Sequence, residues 1–475
     1  MRHYKLALSL IAAAVLAGCG GGSGGGAQIT KVKFNSQLSF GDSLSDVGTY
    51  KVGTVAALKG GQFNINGANG GDLTGKNWTE LMAAQFGLPA PCPAQTGLQG
   101  NAALGFNVPV VIHPECGGYA QGGARLFDAN GVGHTGPTGA LTVPVATQVA
   151  NYLAANGGKF KGDSVIFMLA GANDIFAQLD ILKAGATAAG QAAGAAAGAA
   201  EGARVGALTF ATKLTQSLAA TATNPATAAA AIGAALQAES ARPGHTDQTV
   251  VGAAVTAAAQ QPGNAAVASP AVYGPLVAAA QAAATTAGQA AGATAGAAAG
   301  AAAGAAYVTA TAPSIVAEMG RLGAAFGNLI KTQVVANGAN YVVAVNIPDA
   351  SSTPDSLDAT ADQRALVKLM VTTFNSELAK AVATEPKILY SDAYTANVDQ
   401  VNNPAIHGLT NVTTRACDLN AATNPLHSSL VCNATNLVAG DVSHYLFADG
   451  VHPTPFGYLL LARFVSKDMV IKGWL

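Results

Sequence analysis

Three short apolar runs interrupt an otherwise mixed pattern: SVIFMLA at residues 164–170, NYVVAVN at 340–346 and KILYS at 387–391. Each is bounded by turn residues and none alternates apolar with polar positions, which predicts parallel strands buried on both faces. Around and between them, apolar positions recur at helical spacing over residues 78–86, 143–155, 314–335, 361–384 and 456–470. Strands alternating with helices imply crossover connections and a doubly wound parallel α/β sheet. Such sheets bind ligands beyond the carboxyl ends of their strands. One stretch follows neither rhythm. Residues 184–306 hold only six charged side chains, Glu201, Arg204, Lys213, Glu239, Arg242 and Asp247. Glycine recurs there every fourth residue, from Gly190 to Gly206 and again from Gly288 to Gly304. That spacing lays glycine in a groove along a helix, and alanine supplies the helix propensity that glycine lacks. The expectation is a tightly packed hairpin of two glycine-ridged helices, able to self-associate; a low-complexity linker is the alternative.

Composition narrows the class. The 475 residues carry 24 basic and 25 acidic side chains, a formal charge of -1, so electrostatics favours neither nucleic acid nor an anionic membrane as partner. Half of the residues are apolar, but alanine supplies much of that share and the composition is not membrane-spanning. Residues 1–19 read as an export signal: Arg2, His3 and Lys5, an apolar run, then Leu16-Ala17-Gly18-Cys19. This ending resembles the bacterial lipobox, which implies lipidation of Cys19, a membrane anchor and a glycine-rich tether over residues 20–29. An ordinary cleaved secretory signal is the alternative. Gly20 stands where inner-membrane retention signals place aspartate, which favours the outer membrane or cell surface over a periplasmic or secreted location.

Four further cysteines, Cys92, Cys116, Cys417 and Cys432, are an even number in an exported chain and read as two disulfides. Three pairings are possible; the sequence-local one joins Cys92 to Cys116 and Cys417 to Cys432. Zinc is the competing reading, and the lack of any CxxC pair disfavours it.

The chemistry gathers at short motifs. In FGDSLSD, residues 40–46, Gly41 permits a sharp turn after an apolar entry and leaves Ser43 at the mouth of a strand-to-helix turn, a place for a nucleophile. Such a serine needs a base. His452 lies three residues after Asp449, which could orient the imidazole; in isolation that pair would be a solvated turn. The strings GGYAQGGAR at 117–125, GAND at 171–174 and DGVHPT at 449–454 complete the set. In this order the four blocks resemble the GDSL, or SGNH, family of esterases and lipases. The resemblance implies a flavodoxin-like SGNH-hydrolase sheet formed by residues 30–183 and 307–475, with 184–306 as an insertion. It implies a Ser43-His452-Asp449 triad and an oxyanion hole made by the Ser43 N–H, the Gly123 N–H and the Asn173 amide, Gly122 being the other choice in the glycine pair. The family usually has an asparagine shortly before that pair, where this chain has Gly118. The implied activity is ester hydrolysis without metal or cofactor, on a small-molecule or lipid ester, with acyl transfer to an alcohol as the runner-up and a noncatalytic surface protein as the reading from another class. Loops at 49–77 and 398–442 are expected to choose the substrate. Two imitations are set aside: Ser164 of GDSV opens a strand at the far end of the sheet, and Asp441 and His444 repeat the DxxH spacing in a loop. Outside the glycine-rich tether, where residues 21–25 match it by composition alone, no GxSxG is present, which argues against the ordinary α/β-hydrolase arrangement.

Overall fold

Four strands, β1 (Ser36–Gly41), β2 (Ser164–Leu169), β3 (Tyr341–Val345) and β4 (Ile388–Ser391), pair in that order and all in parallel. The computed structural model describes residues 31–67 and 75–475. The export segment at 1–19, Cys19 and the tether at 20–29 lie outside the described residues. The helices along the chain include α1 (Trp78–Gln85), α2 (Val145–Ala155), α3 (Ala172–Ala219), α4 (Pro225–Ser240), α5 (Asp247–Ala259), α6 (Pro270–Leu329), α7 (Ala361–Val382) and α8 (Pro455–Lys472). The chain divides into two units, one of residues up to Gln178 together with Ser314–Leu475, the other Leu179–Pro313. The second unit begins before residue 184 and ends after residue 306. No helix among the described residues is long and apolar enough to cross a membrane.

The first unit is the α/β body. Every residue of β2 is buried, as its unbroken apolar run requires. Val165, Phe167 and Leu169 pack with Val343 and Val345 against Trp78 and Met82 of α1 and Tyr458, Val465 and Met469 of α8. The opposite face carries Phe40, in register with Met168, against Tyr152 of α2 and Phe160. Helices thus cover both faces. Beyond β1, the stretch around Gly118 adds a short parallel pairing: the Ser39 N–H donates to Gly117, and those of Tyr119 and Gln121 donate to Ser39 and Gly41. That stretch is effectively a fifth strand outside β1. Two small sheets stand apart, Gln95–Gln99 with Asn107–Ile112 and Asn411–Arg415 with Tyr445–Phe447. Residues 314–335, expected as a separate helix, are the end of α6 followed by a π-helical turn at Ile330–Val335.

In the second unit, α3 and α6 run antiparallel with Gly190, Gly194, Gly198 and Gly202 opposite Gly300, Gly296, Gly292 and Gly288. A Cβ added to Gly198 would stand 2.9 Å from the Gly292 carbonyl oxygen, and one on Gly292 2.6 Å from that of Gly198. No side chain fits between these backbones. At the far end of the hairpin, α4 and α5 form a small bundle with α3 and α6 around Leu214, Leu218, Ile232, Leu236 and Val255.

Candidate functional site

The site forms at the carboxyl ends of β1 and β2. Strand β1 ends on Gly41, whose φ of +152 and a Cβ position 2.0 Å from the Leu169 carbonyl oxygen admit only glycine. Gln148 of α2 grips this glycine twice, accepting its N–H at 2.9 Å and donating to its carbonyl at 2.8 Å. The chain then turns and presents Ser43. Behind it, the Asn77 side chain caps α1 and donates to the Asp46 carbonyl, while the Trp78 indole donates to Ser45. The turn is therefore clamped from both sides.

His452 comes from the turn just before α8. Asp449 folds its own turn, accepting the N–H groups of Val451 and His452 through Oδ1, an arrangement typical of aspartate. Thr454 caps α8, with Pro455 in its first turn. The His452 Nδ1–H donates to Asp449 at 2.8 Å, and Nε2 stands 2.9 Å from Ser43 Oγ as the acceptor of its O–H. Asp449 Oδ2 also accepts the Ser429 N–H at 2.8 Å. That N–H sits in the loop closed by the Cys417–Cys432 disulfide, and the N–H of Cys417 donates to the carbonyl beside Asp449, that of Ala448. The second bridge joins Cys92 and Cys116.

Burial alone would raise the Asp449 carboxyl, but the His452 charge and the hydrogen bonds from His452 and Ser429 outweigh it and hold the group well below the usual carboxylate range. For His452, burial opposes the charged form, and the Asp449 charge and hydrogen bond more than offset it, so the imidazole sits above its ordinary value. The Phe63 ring lies against the imidazole, 4.9 Å between centroids.

The implied oxyanion groups face the same cavity as Ser43: Gly122, Gly123 and Asn173 all line it. The two glycines of the pair differ in their hydrogen bonds. The Gly122 N–H is taken by Asp46 Oδ2 at 2.8 Å, whereas neither the Gly123 nor the Ser43 N–H has a hydrogen-bond partner among the described residues. Asn173, in the first turn of α3, donates one amide hydrogen to the Ala124 carbonyl and keeps the other. Asp174, the next residue, accepts from Arg125 and from the Leu126 N–H, tying the glycine segment to α3. The missing asparagine has a steric reason: a Cβ on Gly118 would meet Val47 at 2.5 Å and the Cys92 carbonyl at 2.8 Å.

Ser164 is buried at the start of β2 beside Ser36, at the other end of the sheet. His444 stacks on Phe456, with Nδ1 2.6 Å from the Gly408 carbonyl oxygen. Sequence reasoning missed Gln148, Asp46 and Tyr50. Gln148 was detectable as a polar residue on the apolar stripe of Val145, Val149 and Tyr152; Asp46 lies within the FGDSLSD block itself.

The cavity at Ser43 measures about 530 Å³ and is mainly apolar, with Phe63, Val132, Phe176, Ile347, Leu426 and Phe464 among its walls. That is the size of a small-ligand site. No group of three residues suited to hold a metal occurs among the described residues.

The fold and site together are an α/β scaffold presenting a Ser-His-Asp constellation beside free N–H donors. No family model matches the chain. Over 96 residues it is 35% identical to one GDSL esterase/lipase of Arabidopsis thaliana and 34% identical to a second, covering 20% of this chain and 25% of each relative. A third GDSL esterase/lipase of the same plant is 36% identical over 83 residues, 18% of this chain and 22% of that protein. The matched stretches thus span about a quarter of these relatives or less. The relatives support a link to the GDSL family.

Proposed function

We propose that the protein is a serine esterase or lipase that hydrolyses carboxylic esters bearing an apolar acyl group. The observation that carries this reading is the continuous chain of hydrogen bonds from Ser43 through His452 to Asp449 at the mouth of an apolar cavity. As Ser43 Oγ attacks the ester carbonyl, its proton passes to His452 Nε2, and the new imidazolium is stabilised by Asp449. Negative charge on the former carbonyl oxygen is met by the N–H groups of Ser43 and Gly123 and the Asn173 amide, donors worth roughly 3 kcal/mol each. Collapse breaks the ester C–O bond, and the alcohol departs with the His452 proton. Water then repeats the sequence on the acyl-serine and releases the acid.

The 530 Å³ apolar cavity favours chains longer than acetyl. A series of p-nitrophenyl esters tests this: kcat/KM should rise from acetate to medium-length acyl groups, and a maximum at acetate would refute the assignment of the cavity to the acyl chain. Residues 1–19 support export with lipid attachment at Cys19. Labelled palmitate should enter the wild-type protein and not Cys19→Ser; equal labelling of both would contradict that attachment.

A further inference from the structure

The oxyanion donor in the glycine pair belongs to a peptide gripped at its other end. The carbonyl of Gly122 and the N–H of Gly123 lie in one planar trans peptide, so fixing one aims the other. The Tyr50 hydroxyl donates to that carbonyl at 2.7 Å and itself accepts the N–H of Thr142 at 3.3 Å. Tyr50 is 1% exposed and Thr142 is fully buried, at a φ of +48 that is uncommon for a β-branched residue. One peptide earlier, Asp46 Oδ2 takes the Gly122 N–H. A Gly-Gly peptide left to itself samples many orientations; here only the Gly123 N–H remains unengaged, and Gly123 lines the cavity that holds Ser43. Hydrogen bonding at the carbonyl also polarises the peptide and strengthens its N–H as a donor. Burial, reinforced by the Asp46 charge, keeps the phenol well above its usual range, so it stays a donor throughout neutral pH.

We propose that Tyr50 is a positioning residue for ester hydrolysis: its hydroxyl fixes the Gly122–Gly123 peptide plane and thereby aims the Gly123 N–H at the oxyanion. The inference rests on the hydrolase reading above. Because the aimed bond strengthens only as charge develops on the substrate oxygen, its loss belongs in kcat and not in KM.

The test compares full-length wild type with Tyr50→Phe and with Tyr390→Phe. Tyr390 loses a hydroxyl bonded to Asn346 and Asn375, outside the cavity lining. Hydrolysis of p-nitrophenyl butyrate is normalised to the sites titrated to completion by a fluorophosphonate, so that unfolded protein is not counted. For Tyr50→Phe we expect kcat to fall about tenfold or more, since loss of a whole oxyanion donor costs about a hundredfold to a thousandfold. KM should stay within about twofold, and the affinity for a trifluoromethyl ketone transition-state analogue should fall in parallel with kcat. Tyr390→Phe should keep wild-type kcat. An unchanged kcat in Tyr50→Phe, a loss confined to KM, or an equal fall in both variants would overturn the proposal. Wild type that neither turns over the ester nor reacts with the fluorophosphonate would remove the hydrolase reading itself and this inference with it.

Discussion

At the scale of residues, the proposed hydrolysis requires Ser43, His452 and Asp449 to act as a unit, and variants should behave accordingly. Ser43→Ala and His452→Ala should each cut kcat by several orders of magnitude, with the double variant scarcely worse than either. Asp449→Asn should retain more activity than His452→Ala, because the histidine base remains, although the Ser429 N–H and the turn at Val451 keep only part of their anchor. His452 must be neutral to accept the serine proton, and its surroundings raise it above 6.5. The kcat/KM profile should therefore rise with pH through a midpoint above 6.5, and that midpoint should move down in Asp449→Asn, where the main charge holding the proton is gone. These three residues were legible because their chemistry is local: a serine in a glycine turn, and an Asp-x-x-His whose carboxylate folds its own loop. Tyr50 and Gln148 were not. Each acts on a peptide 72 or 107 positions away, and nothing in the flanking sequence reports that distance.

Elements were legible where one physical rule dominated. The strands β2, β3 and β4 fall within a residue of the apolar runs that marked them; β2 is fully buried and β3 nearly so, whereas Leu389 and Tyr390 of β4 are only half-buried, short of the burial on both faces expected of that run. The hairpin Gln95–Gln99 with Asn107–Ile112 escaped, since Val110, Val111 and Ile112 are consecutive, exposed and preceded by Pro109, a pattern without strand alternation. The helices α4 and α5 were hidden inside a segment whose composition is nearly uniform. The glycine seam makes a sharp prediction of opposite signs. Gly198→Leu and Gly296→Leu should lower the melting temperature despite leucine's higher helix propensity, because each Cβ meets a partner carbonyl oxygen within 2.9 Å. Gly233→Ala, with nothing within 4 Å of its Cβ position inside α4, should raise it, by up to about 1 kcal/mol of stability. Differential scanning calorimetry of the three variants reads both signs. A Gly198→Leu protein as stable as wild type would mean that the ridges do not pack.

For the whole molecule, buried carboxyls set the pH dependence of stability. Burial is the largest influence on Asp42, Asp46 and Glu80 and raises them to about 7, 6 and 7. Asp42 keeps one oxygen, Oδ2, without a hydrogen-bond partner. Between pH 4 and 7 the unfolded chain has released these protons while the folded chain still holds them, so stability falls as pH rises through that window. Asp449 works in the opposite sense, its contribution being present above the ordinary carboxylate range and lost in acid. The melting temperature should therefore decline from about pH 5 to pH 8, and Asp42→Asn should flatten the decline. A flat wild-type curve would contradict the desolvation of these groups. The most direct measurement for the hydrolase reading is mass-spectrometric mapping of full-length protein treated with a fluorophosphonate, alongside p-nitrophenyl butyrate turnover. The expected result is one adduct, on Ser43, with activity lost in proportion to labelling and no adduct in Ser43→Ala. Labelling at another serine, or ester turnover that persists in Ser43→Ala, would contradict it.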